Sequence, residues 1–399
     1  MFEVIYYLLT VIVYIISLPL LLFALLKSKY RHSIPARFFL KDFYLYTSPA
    51  FWFHACSYGE IKSLEPIIKA MPLKPILITT ITQTGFDLAR HTYQDYAHIQ
   101  VKFLPFEIFI PFWKKKLQFL QTLIITEAEL WYLVLKTAKN VGAKTMLINS
   151  RISTHSFPRY KKIAWFYKRL FHQIDEVLAQ GKDDILRLEL LGAKNPKVFG
   201  NLKLLGTPHI RTHYPKSPKL TIIAASTHPG EEELILQAFL KLRDSLEKCW
   251  LIVVPRHPER FKEVERFIEK TLANTPYKYK VFSQEGFSQE CDVLLADILG
   301  ELFNLYAIGD VVILGGSFDK IGGHNPLEPA FFHTKLLSGP HIFNQSALFE
   351  AIEGYQIVEA NQLAQTLCNY HFLPNTNILN QDNKLQSLLN SITNSHHHF

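Results

Sequence analysis

Two glycine pairs, a histidine and two acidic side chains lie together between Gly315 and Pro329. The apolar run Asp310–Leu314 before them predicts a buried parallel strand. At the carboxyl end of such a strand, the amides of a Gly-rich turn and the start of the next helix can hold an anion. We predict a phosphate site there, formed by Gly315, Gly316 and Ser317. Taken alone, Asn325–Glu328 also matches a helix-opening capping box, and that alternative stays open.

A second candidate for chemistry is Glu60, which follows the strand-like run Phe51–Ala55. A carboxylate at the carboxyl edge of a sheet is well placed for a general base. Ser57 and Glu60 also form an S-x-x-E capping box, which needs no catalytic role. Glu60 serves both purposes only if its carboxylate turns away from the cap.

Acidic and basic side chains also end two neighbouring strand candidates. Glu127 and Glu129 are two residues apart, so an extended segment directs both carboxylates to one side. Because like charges repel, we expect a cation beside them, and Arg151 is a candidate. A solvated loop with unpaired acids is the alternative.

The second half of the chain repeats this pattern of polar residues after apolar runs. Ser226 follows one run, and Arg256 and His257 follow another. Hydroxyl and cationic groups that converge from several strand ends are typical of a nucleotide site. The sequence has no Cys/His metal spacing, Walker lysine motif or G-x-S-x-G elbow.

Two stretches interleave lysines with aromatic residues. The first contains Lys114, Lys115 and Lys116, and the second, 159–169, contains Lys161 and Lys162. This composition is typical of a surface that meets anionic lipid headgroups. Nucleic acid is a less favoured partner because an apolar N-terminal run lies in the same half. A structural amphipathic helix is the remaining alternative.

Bulk composition indicates a folded, two-domain protein. The 399 residues are 48% hydrophobic and 20% charged, with a net charge of +8 that favours an anionic partner. Four dispersed cysteines include no Cys-x-x-Cys pair, so we expect reduced thiols.

The run from Phe2 to Leu26 is apolar on all faces and, at about 1.5 Å per residue, long enough for a bilayer core of roughly 30 Å. Basic residues follow it, which predicts a single-pass anchor with the rest of the chain in the cytoplasm. An interfacial helix that lies on the membrane is the alternative.

After this anchor, short apolar runs alternate with helical segments twice. The strand candidates of the first series are Phe51–Ala55, Ile76–Ile81, Gln100–Leu104, Leu123–Thr126, Thr145–Ile148 and Glu176–Ala179. Those of the second series are Leu220–Ala225, Leu251–Pro255, Val293–Ala296, Val311–Leu314 and Leu336–Ser338. The pattern predicts an α/β protein with two Rossmann-like domains that face each other across a cleft. The boundaries that we predict are an anchor at 1–30, an N-terminal domain at 31–205, a linker at 206–218 and a C-terminal domain at 219–399.

Several short motifs occur along the chain in a fixed order: His54-Ala55-x-Ser57-x-Gly59-Glu60, Glu127-x-Glu129-Leu130-Trp131, Asn149-x-Arg151-x-Ser153, Gly200-Asn201-Leu202-Lys203, Ser226-Thr227-His228, Gly315-Gly316-Ser317 and Gly322-Gly323-His324-Asn325-Pro326-Leu327-Glu328-Pro329. This series resembles the family of 3-deoxy-D-manno-octulosonic acid (Kdo) transferases, which add Kdo from CMP-Kdo to the lipid A precursor of lipopolysaccharide. The chain departs from the family pattern at Tyr132, Glu107 and Leu204-Leu205.

The resemblance implies a GT-B glycosyltransferase whose reaction is inverting and independent of metal. It implies CMP-Kdo, the lipid A precursor and anionic inner-membrane lipids as partners, and no nucleic acid. It also implies attachment to the cytoplasmic face of the inner membrane, an acceptor-binding domain at 31–205 and a nucleotide-sugar-binding domain at 219–399. On this reading Glu60 is the general base, Ser57 lies at the acceptor, and Glu127 and Arg151 lie at the donor sugar or orient Glu60. The phosphate meets Gly315, Gly316, Ser317 and Arg256, the ribose meets Asn325 and Glu328, and Ser226 and His257 complete the donor site. The alternatives are a UDP-sugar transferase of the same fold and a membrane-anchored nucleotide-binding protein without turnover.

Overall fold

The structure, a computed structural model, describes residues 1–27, 30–127, 131–206, 210–245, 248–379 and 383–394. The chain divides into two compact units. The first unit contains the chain up to Gly206 together with the C-terminal helix, and the second contains the residues between them. Each unit is built on its own parallel sheet of seven strands.

The first unit begins with a long apolar helix and continues as alternating strands and helices. Its elements are α1 (Phe2–Ala24), α2 (Ser33–Phe38), β1 (Phe51–His54), α3 (Tyr58–Ala70), β2 (Ile76–Thr80), α4 (Gln83–Tyr93), β3 (Ile99–Phe103), a 3₁₀ helix (Glu107–Trp113), β4 (Thr122–Thr126), α5 (Tyr132–Asn140), β5 (Lys144–Ser150), α6 (Phe157–Lys162), α7 (Ala164–Phe171), β6 (Glu176–Ala179), α8 (Lys182–Leu190), β7 (Lys197–Val198) and a 3₁₀ helix (Leu202–Leu205).

The first sheet has the order β3-β2-β1-β4-β5-β6-β7. Strand β1 is an inner strand, with Phe53 opposite Ile78 of β2 on one side and Ile124 of β4 on the other. The β1, β2 and β4 residues are fully buried or nearly so, which explains why their sequences are continuous apolar runs instead of alternating ones. The chain reverses direction across the sheet between β1 and β4, and this switch point opens a crevice at the carboxyl edge.

The second unit repeats this plan. Its elements are β8 (Leu220–Thr227), α9 (Glu231–Arg243), β9 (Cys249–Pro255), a 3₁₀ helix (Pro258–Arg260), α10 (Phe261–Leu272), β10 (Tyr279–Val281), α11 (Phe282–Glu285), β11 (Val293–Leu295), α12 (Leu302–Tyr306), β12 (Val311–Leu314), α13 (Leu327–Ala330), β13 (Lys335–Ser338), α14 (Ser346–Phe349), β14 (Ile352–Glu353), β15 (Tyr355–Ile357), a 3₁₀ helix (Ala360–Gln362), α15 (Leu363–Cys368), a 3₁₀ helix (Tyr370–Phe372) and β16 (Asn377–Ile378).

The second sheet has the order β10-β11-β9-β8-β12-β13-β15, so its switch point lies between β8 and β12. Strands β14 and β16 form a separate antiparallel pair. The sequence correctly identified the buried strands of both sheets. It did not identify β7, β10, β14, β15 and β16, which are two or three residues long and only partly buried, because such segments carry little hydrophobic signal.

The C-terminal helix α16 (Lys384–Thr393) packs on the first unit, although the sequence boundaries placed it in the second domain. Its buried residues Leu388, Leu389 and Ile392 join the core of the first sheet. The Thr122 hydroxyl also donates to the carbonyl of Ile392 at 2.7 Å. No sequence period reveals this assignment, because an amphipathic helix fits either sheet until its partner surface is known.

Helix α1 is long and apolar enough to cross a membrane, and none of its residues is buried. It nevertheless contacts the rest of the first unit along one face. Phe2 packs edge-on against Tyr132, the Tyr6 hydroxyl donates to the buried carboxylate of Glu107, and the Tyr14 hydroxyl donates to the Phe38 carbonyl at 2.7 Å.

Candidate active site

The carboxylate of Glu60 lies at the switch point of the first sheet and is 8% exposed. Its Oε2 accepts from the Cys56 amide at 3.0 Å and from the Thr126 hydroxyl, at the end of β4, at 2.5 Å. Its Oε1 accepts from the Ser57 hydroxyl at 2.8 Å. Ser57 therefore caps the helix, but the carboxylate takes the Cys56 amide in place of the Ser57 amide, so the reciprocal bond of a capping box is not the one formed. The carboxylate does not turn away from the cap, contrary to the condition that the sequence set for a role as base, and that role depends instead on the acceptor site that remains. Since each carboxylate oxygen offers about two acceptor sites, Oε1 keeps one for a further donor.

A buried histidine supports the turn that carries Glu60. His54 ends β1 with no exposed surface, and its Nδ1 lies 2.9 Å from the Thr79 hydroxyl of β2. Its Nε2 lies 3.5 Å from Cys56 Sγ. Burial lowers the pKa of His54 to about 3, so the ring is neutral at physiological pH. His54 therefore has a structural role, in which its ring hydrogen-bonds Thr79 and contacts Cys56.

Glu127 and Arg151 follow the adjacent strands β4 and β5. Glu127 adopts a left-handed backbone, with φ of 57°, and its amide donates to the Ile148 carbonyl at 3.0 Å. The Arg151 side chain is exposed. The structure thus brings the two residues to the same sheet edge, as predicted. Glu129, the other acid of this motif, lies outside the described residues.

In the second unit the amides of the Gly-Gly-Ser turn are already engaged. Gly316 donates to Glu231 Oε2 at 2.8 Å, and Ser317 and Phe318 donate to Glu231 Oε1 at 3.0 and 3.1 Å. The His228 amide donates to Glu231 Oε2 at 2.9 Å. The carboxylate of Glu231 therefore occupies the position that the sequence assigned to phosphate. The reason is tertiary, because Glu231 begins a helix at the neighbouring strand end.

Gly315 has a different task from the one predicted. A Cβ at this position would lie 2.5 Å from the Ser226 carbonyl oxygen and 2.8 Å from Glu231 Oε2, so only glycine permits this close approach. The helix after the loop, α13, has four residues, too few for a strong helix dipole. Ser226 itself has a φ of 55° at the end of β8.

Three histidines and an arginine gather at this edge of the second sheet. His228 and His324 stack, with their Nε2 atoms 2.8 Å apart, and the His257 ring lies 5.3 Å from that of His228. Burial lowers the pKa of His228. Burial, together with the neighbouring His228 and Arg256, lowers the pKa of His324 to about 4. The side chains of Arg256 and His257 are exposed. This cluster offers cationic and N–H groups to an anion.

Asn325 and Glu328 form only part of the capping box that the sequence left open. Asn325 Oδ1 accepts from the Leu327 amide at 3.2 Å, and its Nδ2 donates to Glu328 Oε1 at 3.1 Å. Helix α13 begins after Pro326, and Glu328 bonds the side chain of Asn325 in place of its backbone amide, so the reciprocal bond of a capping box is not the one formed. Both side chains are half-buried, and these two hydrogen bonds orient them next to His324 of the histidine cluster.

The lysines of the two basic stretches are exposed, whereas several of their aromatic residues pack against the core, among them Tyr160, Phe166 and Tyr167. Lys114, Lys115 and Lys116 follow the 3₁₀ helix on the surface, and Lys161 and Lys162 are exposed at the end of α6. Trp113, read from the sequence as part of the first stretch, is instead 2% exposed and donates to the Phe43 carbonyl.

His228 and His324 belong to motifs in the sequence, but no role was predicted for either of them or for Glu231. A usable signal was present for Glu231, since a run of three glutamates opens its helix. Among the described residues, no group of three or more His, Cys, Asp or Glu side chains is arranged to hold a metal ion.

Comparison with known proteins is consistent with this geometry. Residues 32–205 match the family model described as 3-Deoxy-D-manno-octulosonic-acid transferase (kdotransferase). A 3-deoxy-D-manno-octulosonic acid transferase of Haemophilus influenzae is 32% identical over 79% of this chain and 76% of its own length. A bifunctional glycosyltransferase/methyltransferase of Fusobacterium nucleatum is 31% identical over 73% of this chain, which spans 47% of that protein.

A solved structure extends the comparison to both units. The UDP-GlcNAc 2-epimerase from Neisseria meningitidis bound to UDP-GlcNAc aligns with 86% of this chain and 98% of its own, with a TM-score of 0.55. The sequences are 13% identical, so this likeness shows the fold alone.

Proposed function

Because the chain belongs to the 3-deoxy-D-manno-octulosonic-acid transferase family, we propose that it transfers Kdo from CMP-Kdo to the lipid A precursor in lipopolysaccharide biosynthesis, with Glu60 as general base. It is a glycosyltransferase of the GT-B fold, with two parallel-sheet units. The role of Glu60 as base is supported by the position of its carboxylate. Three hydrogen-bond donors hold this carboxylate at the switch point, and its Oε1 keeps one acceptor site.

In the proposed reaction, an acceptor hydroxyl attacks the anomeric carbon of Kdo, and Glu60 Oε1 takes the hydroxyl proton. The bond between that carbon and the CMP phosphate oxygen breaks on the opposite face, so configuration inverts. The leaving CMP carries the negative charge that develops on its phosphate. Ser57 and Thr126 hold the base in place, which lowers the reorganisation needed in the transition state.

Cationic side chains of the second unit are proposed to receive the CMP phosphate. Arg256 provides a permanent charge, and His228, His257 and His324 provide N–H donors. This assignment replaces the Gly316 and Ser317 amides, which bind Glu231. Asn325 and Glu328 are proposed for the ribose hydroxyls, and Ser226 for a further polar contact. Gly315 contributes by permitting the close approach of β8 and β12.

Glu127 and Arg151 stay in the proposal as residues that orient the donor sugar or Glu60. The guanidinium of Arg151 suits the carboxylate of Kdo, because planar bidentate pairing is available to it. We also propose that transfer needs no metal. A single phosphate carries less charge than a diphosphate, and the Arg256 and histidine groups can balance it.

Membrane attachment is proposed to occur through α1, which supplies one N-terminal apolar helix, and through the surface lysines Lys114–Lys116, Lys161 and Lys162. The contacts of α1 with the first unit run from Phe2 to Tyr14, about 18 Å of helix. A helix held along the protein over that length is not free to cross a core of roughly 30 Å. This supports the interfacial alternative over a single-pass span. Both units are proposed to lie in the cytoplasm.

The test is turnover with purified full-length protein, CMP-Kdo and a defined lipid A precursor, followed by mass spectrometry of the lipid. The expected product is larger by one or more Kdo residues. Competition by CMP but not by UDP separates this function from that of a UDP-sugar transferase. Binding of CMP without any lipid product would instead support the non-catalytic alternative.

A further inference from the structure

A large cavity of about 990 Å³ lies in the first unit, away from Glu60. It opens between helix α4, the edge strand β3 and the segment from Lys41 to Tyr46. Its volume is at the upper end of the range for small-molecule sites. Neither the proposed reaction nor the family motifs give it an occupant.

The lining of this cavity is rich in cations. Lys41, Arg90 and Lys102 line it together with His32, against the acids Asp42 and Asp87. Asp87 already accepts from Gln83 Nε2 at 2.7 Å. Within the part of the chain that the structure describes, no ion pair joins Lys41, Arg90 or Lys102 to a carboxylate.

Lys102 is the deepest of these cations, at 8% exposure. Its Nζ donates to the Asp42 carbonyl at 3.0 Å and lies 4.4 Å from the centre of the Tyr46 ring. Burial lowers its pKa, and the nearby charge of Arg90 lowers it further, although Asp42 partly offsets this. Two cations that repel each other in one cavity favour the entry of an anion.

Other lining groups suit a headgroup that carries more than charge. The rings of Phe86 and Phe103 stack with centres 4.1 Å apart, and the Arg90 guanidinium lies 5.9 Å from the Phe86 ring. The side-chain oxygen of Gln83 is buried and accepts no hydrogen bond from the described residues. A sugar hydroxyl or amide N–H would satisfy it, and an aromatic wall would cover the apolar face of a sugar.

Two parts of the cavity lining lead to the features that an amphiphilic ligand needs. His32 and Ala36 belong to the segment around α2, whose last residue, Phe38, accepts from Tyr14 of the apolar helix. Gln83, also in the lining, opens α4. The N-cap of that helix, Thr82, donates to the Cys56 carbonyl at 2.8 Å, in the turn that holds Glu60.

We propose that this cavity binds the phosphorylated sugar headgroup of a lipid, with Arg90, Lys41 and Lys102 at the phosphate. Resting on the proposed function, the ligand is the acceptor, held by a phosphate while another part of its headgroup extends toward Glu60. The same phosphate chemistry is present in bulk anionic phospholipid, so the experiment separates the two sources.

The test compares the full-length protein with the double variant Lys41→Gln/Arg90→Gln, both of whose sites are on the exposed rim. A matched control, Lys182→Gln/Lys194→Gln, removes two exposed charges elsewhere in the same unit. We expect the acceptor KM of the rim variant to rise about tenfold or more, because charge-assisted hydrogen bonds are lost. The KM for CMP-Kdo and the values of the control should stay unchanged. An acceptor KM equal to that of the control overturns the proposal.

Flotation with vesicles identifies the source of the phosphate. Vesicles of phosphatidylcholine alone, with added phosphatidylglycerol or with added lipid A precursor are compared. A loss of binding by the rim variant confined to precursor vesicles supports the acceptor. An equal loss on phosphatidylglycerol vesicles overturns the acceptor assignment in favour of bulk phospholipid.

Calorimetry with the deacylated, phosphorylated glucosamine disaccharide tests the cavity without turnover. Wild type should bind this probe more tightly than the rim variant does. If wild type binds the probe in this way but transfers no Kdo, the proposed function fails and the cavity assignment stands. Equal binding by wild type and rim variant overturns the cavity assignment whatever the turnover.

Discussion

Glu60 and Glu231 occupy equivalent positions in the two units. Each lies in the first turn of the helix that follows the first strand of its sheet in chain order, β1 in one unit and β8 in the other, and both strands border the switch point. Each also binds the end of the strand across the switch point. Glu60 accepts from Thr126 at the end of β4, and Glu231 accepts from the amides after β12.

The two carboxylates differ in how fully they are used. Glu231 is 1% exposed and accepts four backbone amides, two on each oxygen, which uses its acceptor sites. Glu60 accepts from one amide and two hydroxyls and keeps a site on Oε1. The same topological position therefore holds a structural acid in one unit and, as we propose, a catalytic one in the other. Hydrogen-bond accounting separates these roles, whereas residue type and spacing do not.

The largest effect should come from Glu60→Gln. An amide cannot take the acceptor proton, so turnover should fall by about 10² to 10⁴. CMP binding, measured by calorimetry, should stay at the wild-type value because the second unit is untouched. Turnover within a few fold of wild type would remove Glu60 from the role of base.

Glu231→Gln should show the opposite pattern, with stability lost first. The amide group offers one acceptor oxygen where four backbone N–H groups need partners, so the free energy of unfolding should fall by roughly 2 to 5 kcal/mol. Calorimetric unfolding checks this value. A variant of normal stability that loses turnover alone would contradict the structural role.

Acid should distinguish the histidines of the two units. The pKa of His324 is lowered from 6.5 to about 4, and that of His54 to about 3. Because the unfolded chain takes up these protons first, stability should fall as the pH drops from about 6.5 toward each folded pKa, by roughly 1 to 3 kcal/mol for His324.

CMP should reduce the acid sensitivity that His324 causes, since a phosphate beside the ring raises its pKa, and should leave that of buried His54 unchanged. Calorimetric unfolding between pH 7.5 and 4.5, with and without CMP, tests this in wild type and in His324→Asn. A CMP effect that is equally large in His324→Asn would place the phosphate elsewhere.

The smallest effect should come from Ser57→Ala. Loss of the cap on α3 should lower stability by about 1 kcal/mol and leave Oε1 of Glu60 without its donor. The matched cap variant Thr82→Ala, on α4, should lose similar stability but keep more turnover. Equal turnover in the two variants would argue that Ser57 acts only as a cap.

Local sequence was sufficient for the features that depend on neighbours along the chain. Continuous apolar runs identified the buried strands, since both faces of a parallel sheet are covered by helices. The S-x-x-E spacing identified Ser57 as the N-cap of the helix that contains Glu60. The apolar run Phe2–Leu26 likewise identified helix α1 almost to the residue.

Tertiary structure decided the features that depend on distant partners. Glu231 reaches amides some 85 residues away along the chain, so the Gly-Gly-Ser turn that resembles a phosphate loop is filled by the protein itself. Helix α16 joins the sheet of the first unit, and Trp113 enters its core. Sequence determines which groups are present and which elements form locally, whereas the fold determines which hydrogen-bond sites remain unoccupied, because that depends on every donor brought near each acceptor.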